Sequence, residues 1–182
     1  MDNGASSYRR FLDGDESAFD DIMKELFDKL VFFVDRYVHD VHTAEDIAID
    51  AFSELIVHKN RFNFKVSLKT YLFMIGKSRA LNYLRHKKVI GIVGLSEVGE
   101  VSGEQDLEDS VLGDERKKIL NRALSELDED MRIAVHLVFF EELSYEETAK
   151  IMKKNRKQID NLLYRAKGKL RIILGEEGKQ LL

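Results

Sequence analysis

Between Lys59 and Lys88 the sequence carries nine cations and no acid: Lys59, Arg61, Lys65, Lys69, Lys77, Arg79, Arg85, Lys87 and Lys88. Interleaved with them are Phe62, Phe64, Tyr71, Phe73 and Tyr83. Cations follow a phosphate backbone while rings stack on unpaired bases, at about 1–3 kcal/mol per base, so the block suits single-stranded nucleic acid. Packing is the competing explanation for the rings: Phe73 and Tyr83 are more readily core residues, and Tyr71 divides between the two readings.

A second basic stretch, "SYEETAKIMKKNRKQIDNLLYRAK" (residues 144–167), reads as a short helix, a tight turn and a longer helix. Ser144 with Glu147 fits an N-terminal capping box, and Asn155 with Gln158 fits a second. A helical wheel puts Ile159, Leu162, Leu163, Ala166 and Leu170 on one side. It turns Lys157, Asn161, Tyr164, Arg165 and Arg171 outward. That is a helix-turn-helix whose second helix bears groups suited to a major groove. Lys and Arg pair with phosphate or guanine, Asn with adenine, and Tyr with sugar or a thymine methyl. A solvated basic hairpin is the plainer alternative. Lys153 stands where such turns often use Gly.

Catalytic and metal chemistry find no support. Cysteine is absent, which removes disulfides, thiolate ligands and thiol nucleophiles. "GKS" at Gly76–Ser78 has Tyr71 where a phosphate-binding loop needs its earlier Gly, and its context is helical. His39, His42 and Asp46 approximate a metal triad in spacing but straddle a break in helical periodicity. "GLSEVG" misplaces the second Gly of a nucleophile elbow. No catalytic residue, metal, cofactor or small-molecule substrate is expected.

The elements that must carry the two basic stretches follow from periodicity. The chain of 182 residues has 44% hydrophobic content and no proline, so it reads as all-α with a packed core. Residues 15–40 read as one long helix, with Phe19, Ile22, Leu26, Phe27, Leu30 and Phe33 at helical spacing. "TAEDIAIDAFSELIVHK" reads as a second, opened by a Thr43–Asp46 capping box, and residues 67–88 as a third. Three more helices follow from about Arg116. Charge is segregated: net −9 over 1–58, +9 over 59–88, −8 over 89–115, −1 over 116–143 and +5 over 144–182. The acidic, glycine-bearing stretch 89–115 reads as a flexible linker. The expected organisation is two small helical domains, 1–88 and 116–182, with different partners. The N-terminus has no signal-peptide core and no apolar run would span a bilayer, so a cytoplasmic protein without membrane insertion is expected.

The order of an acidic first helix, "AEDIAIDAF", a basic-aromatic helix, an acidic tether and a helix-turn-helix resembles the bacterial RNA polymerase sigma-70 superfamily, in its two-domain extracytoplasmic function (ECF) branch. The likeness runs from about Tyr8 to Leu174. It implies a factor that binds core polymerase, reads −10 and −35 promoter elements and starts transcription. The family's core-binding positions fall on Asp46, Asp50 and Phe52, with Ile49 where Gln is common. Its −10 positions fall on Tyr71, Lys77, Asn82 and Arg85, and Lys65, Lys69 and Arg79 of the basic block join them as −10 DNA-binding candidates. Tyr71 replaces a frequent Trp, Ser78 an Asn and Asn82 an Asp. Its base-facing −35 positions fall on Asp160, Asn161, Tyr164 and Arg165, Asp160 replacing a usual cation and Leu162 a common Arg, and Arg156 and Lys157 at the start of the same helix join them as −35 DNA-binding candidates. The resemblance further implies an anti-sigma partner, and a linker whose acids mimic the transcript or merely space the domains. The competing assignment is a dimeric helix-turn-helix regulator with an N-terminal sensing domain, which leaves the 59–88 block idle. An adaptor that binds polymerase alone wastes both basic blocks.

Overall fold

The computed structural model describes residues 5–93 and 119–175, where every regular element is a helix and no strand occurs. Backbone packing divides the chain into two units, Met1–Gly103 and Glu104–Leu182. Among the described residues no helix is long and apolar enough to cross a membrane. The expected linker, 89–115, lies outside them apart from residues 89–93, which continue a helix.

The first unit holds α1 (Ala5–Leu12), α2 (Ser17–Val38), α3 (Val41–Val57) and α4 (Leu68–Val93), with a 3-10 turn at Lys59–Arg61. The buried seam of α2, including Ile22, Leu26, Leu30, Phe33 and Val34, packs against α3 and α4. Each such side chain contributes about 1.5–3 kcal/mol by leaving water. Phe33 stacks on Phe73 of α4 at 4.6 Å between centroids. Gly76 lets the two helices close. A Cβ there would stand 2.8 Å from Leu30 Cδ1, which accounts for the "GKS" glycine as a packing position.

Helix α3 starts earlier than its sequence signal. His39 ends α2 in the left-handed region (φ 53°). Asp40 then caps α3, its Oδ1 accepting from the Thr43 amide at 2.7 Å. Asp40 wins the amide that a Thr43–Asp46 box would have needed, so that box does not form. Hydrogen bonds from Thr43 hold the Asp40 carboxyl below its usual range. Helix α1 was not evident in the sequence; Tyr8 and Phe11 bury it.

The second unit holds α5 (described over residues 119–125), α6 (Glu129–Val135) running into a π turn (His136–Phe140), α7 (Tyr145–Met152) and α8 (Arg156–Leu174). Among the described residues four helices appear where three are expected. The extra break comes where Leu127 drops into the core and Asp128 turns extended (ψ 147°). Both expected capping boxes form. Ser144 and Glu147 exchange bonds of 3.2 and 3.0 Å, and Asn155 and Gln158 exchange bonds of 2.9 and 2.8 Å. Lys153 makes the turn in the left-handed region at φ 56°, ψ 44°.

Candidate nucleic-acid interface

The predicted site residues fall on three faces. The outer face of α3 exposes Asp46 and Asp50 together with Ile49, Ser53, Ile56 and Val57, all at helical spacing. Carboxylates beside exposed aliphatics suit a partner surface of cations and apolar side chains. Phe52 does not share this face. It is 2% exposed, with ring centroids 6.1 Å from Phe19 and 5.9 Å from Phe27. Its position in the α3 wheel points it at α2, so its part is to anchor the helix.

Helix α4 distributes its cations unequally. Lys69 lies on the buried seam with Leu72, Phe73, Gly76 and Ala80 and is 6% exposed. Its stem is sheathed and its ammonium sits 5.7 Å over the Phe73 ring, so it presents no free charge to a strand. Asn82 and Arg85 are exposed, the guanidinium donating to Asn82 Oδ1 at 3.1 Å. Lys65 is exposed; Tyr71 and Lys77 are half-buried. Tyr71 packs on Phe62 at 5.2 Å, and burial, then the Glu54 charge, raise its phenol while Arg61 opposes. Tyr83, expected in the core, is exposed, and Phe73 is fully buried. Arg79 is the least expected. It donates to Asp50 Oδ2 and Glu54 Oε2, each at 3.0 Å, tying α4 to the acidic face of α3.

The loop 58–67 before α4 is shaped by aromatics. Phe62 is buried against Tyr8, and Phe64 adopts φ 57°. For a bulky side chain that conformation costs roughly 1–3 kcal/mol and needs firm surroundings.

In the second unit, α8 buries Ile159, Leu163, Ala166 and Leu174 and exposes Arg156, Lys157, Asp160, Asn161, Tyr164 and Arg165. All six side chains expected to face DNA are therefore outward, Tyr164 at 81% exposure. Arg156 also pairs with Glu146 of α7 at 3.2 Å across the turn. Lys169 holds Asp128 at 3.0 Å, which keeps that carboxyl below its usual range. Exposed cations at a helix N-terminus, where backbone amides also point outward, suit phosphate.

Two families match the chain in order: Sigma-70 region 2 over residues 22–89 and Sigma-70, region 4 over residues 117–170. The RNA polymerase sigma-H factor of Pseudomonas aeruginosa is 29% identical over 163 residues, 85% of this chain and 84% of that protein. The ECF RNA polymerase sigma factor SigW of Bacillus subtilis is 29% identical over 148 residues, 76% of this chain and 79% of that protein. Among solved structures, the sigma factor RpoE of Bartonella quintana, crystallised with the anti-sigma factor NepR, superposes with a TM-score of 0.68 at 22% identity. It covers 87% of this chain and 97% of its own.

Proposed function

We infer function from family membership: the chain belongs to the bacterial RNA polymerase sigma-70 superfamily, in its ECF branch. It is a sigma factor that binds core polymerase, recognises −10 and −35 promoter elements and starts transcription. The observation that carries this reading is that region 2 and region 4 matches fall, in order, on the two units. Sigma factors as a family are not enzymes; that this chain has no catalytic activity is part of the proposal.

The three faces divide the labour. Asp46 and Asp50 on α3 meet cations of core polymerase, with Ile49 and Ile56 supplying apolar contact. Arg85, Asn82, Lys65, Lys77 and Tyr71 receive the separated strand at the −10 element. Arg79 joins them when it leaves its carboxylate partners. Arg156 and Lys157 position α8 on phosphates, while Asp160, Asn161, Tyr164 and Arg165 read the −35 element. The domains are 1–88, extended by the end of α4 to residue 93, and 116–182, with the rest of 89–115 as tether. An anti-sigma factor, of the kind that accompanies RpoE in its crystal structure, occupies these faces when the factor is silent, and the protein works in the cytoplasm.

A dimeric regulator with a sensing domain is not favoured, because the segment it would use for sensing is the one that matches region 2. The experiment is transcription from genomic promoter fragments by sigma-free core polymerase plus the purified chain, with start sites mapped. Defined starts are expected, and Asp46→Arg should abolish both them and co-purification with core while circular dichroism is unchanged. Absence of any defined start with wild-type protein would refute the assignment.

A further inference from the structure

Helix α1 lies outside the residues matched by region 2, yet it grips that segment where the chain is most constrained. Tyr8 is fully buried, and its hydroxyl lies 3.1 Å from both the Leu55 and Lys59 carbonyls. These belong to the end of α3 and the turn after it, where a helix leaves carbonyls without internal donors. The Tyr8 ring meets Phe62 edge-on at 5.5 Å and lies 6.3 Å from Phe64. Next to it, Arg9 holds its guanidinium 4.9 Å over the Phe64 ring, and Lys59 places its ammonium 4.4 Å over Phe11. Phe64, at φ 57°, is the strained residue of this loop, and a strained bulky residue persists only where its neighbours over-determine it. Here those neighbours are Phe62 and α1.

We propose that α1 is a clamp on the basic loop: Tyr8 and Arg9 are positioning residues that hold residues 58–65 in the shape that meets a separated DNA strand. The inference rests on the strand-capture reading under the proposed function. Neither residue needs to touch DNA. Lys59, Arg61 and Lys65 gain from the clamp because a cation fixed in place loses less freedom when a phosphate binds it. The charged contacts with polymerase are spared, since Asp46 and Asp50 lie further back on α3 with their side chains exposed, and of that face only Ile56 adjoins the clamped carbonyls.

The test uses the full-length chain in three assays: amide exchange, affinity for a labelled single-stranded oligodeoxynucleotide at low salt, and co-purification with core polymerase. Tyr8→Phe keeps the ring and removes the hydroxyl. Exchange should quicken about three- to tenfold, as expected for one lost hydrogen bond. The amides to watch are those of His58, bonded to Glu54 O, and Arg61, bonded to His58 O, both at 2.9 Å. Oligonucleotide affinity should fall several-fold with core binding unchanged. Arg9→Ala should weaken strand binding more than Arg10→Ala, which removes the same charge from the same helix but is paired with Asp15. Unchanged exchange and strand binding in Tyr8→Phe overturn the clamp, as do equal losses for the two arginine variants. Core and strand binding that fall together also overturn it, because a merely structural hydroxyl would move both. A wild-type chain that binds core and ignores the oligonucleotide overturns instead the strand-capture reading beneath it.

Discussion

Arg79 Nη1 lies 3.0 Å from Asp50 Oδ2 while its Nη2 lies 3.0 Å from Glu54 Oε2, so one guanidinium of α4 spans two carboxylates a turn apart on α3. Glu54 Oε1 in turn accepts from Arg61 at 3.1 Å. The carboxylate assigned to polymerase and a cation assigned to DNA are therefore bonded to each other. A polymerase cation at Asp50 and a phosphate at Arg79 each compete with that bond. Opening it once serves both ligands, so each should favour the other.

This relationship can be measured with two isosteric changes. Asp46→Asn and Asp50→Asn each remove one negative charge from the same face, but only the second releases a bond of Arg79. Affinity for single-stranded DNA should rise more for Asp50→Asn, by an additional factor of about two to five, as for an exposed ion pair of roughly 0.2–1 kcal/mol. In an Arg79→Gln background the extra factor should vanish. Equal effects of both changes in the wild-type background would mean that Glu54 alone holds Arg79.

Tyr8 makes a prediction at alkaline pH. Burial first, and then the nearby Tyr71, raise its pKa from 10.0 to about 12. The folded state thus keeps a proton that the unfolded chain releases. The stabilisation is fully present below pH 10 and is lost as pH rises through about 12. Between about pH 10 and pH 12 the thermal midpoint of wild type should fall more steeply than that of Tyr8→Phe, whose ring cannot ionise. Parallel curves would show that the phenol contributes no linkage.

What the sequence disclosed depended on range. The boxes at Ser144–Glu147 and Asn155–Gln158 formed as read because each is settled within one turn. The outward face of α8 was legible for the same reason: the inward side, with Ile159, Leu163 and Ala166, is marked by spacing alone. The Thr43–Asp46 box failed because Asp40, three residues before Thr43, competes for the same amide. Phe52 and Lys69 have the residue types of a binding face, yet their burial is decided by α2 and Phe73, beyond the reach of a local pattern. Arg79 and Asp50 are 29 residues apart, and no local pattern pairs them. Helix α1, at eight residues, is too short for periodicity to declare itself.

The turn of the helix-turn-helix carries removable strain. Lys153 sits at φ 56°, ψ 44°, where a Cβ is disfavoured. Its amide donates to Lys150 O at 3.3 Å, and the Lys154 amide donates to Ala149 O at 2.9 Å, so the backbone geometry is fixed by bonds that Gly keeps. Lys153→Gly should stabilise the second unit by about 1 kcal/mol relative to Lys153→Ala, which removes the same charge but retains a Cβ. Denaturant midpoints decide it; equal midpoints would mean that the position is unstrained.

Asp160 gives the sharpest test of the proposal that α8 reads DNA. An acid on a DNA-facing helix repels phosphate, so it must either accept from a base, as from cytosine N4, or offset nearby cations. The second role is partly filled: Arg156, one turn earlier, is already paired with Glu146 at 3.2 Å. Asp160 is exposed beside Asn161 and one turn before Tyr164, on the face turned away from the core. Base reading is therefore expected. Asp160→Ala should lose about 1–3 kcal/mol of discrimination at one base pair, and Asn161→Ala a similar amount at another. Lys157→Ala should instead weaken binding to all sequences about equally. It should also flatten the dependence of log affinity on log salt by roughly 0.9 for each phosphate it no longer neutralises. The measurement is the affinity of the full chain, with core polymerase, for a promoter duplex and its single-pair variants across salt. If Asp160→Ala tightens every sequence alike, the carboxylate is a charge offset and base reading by α8 falls to Asn161, Tyr164 and Arg165.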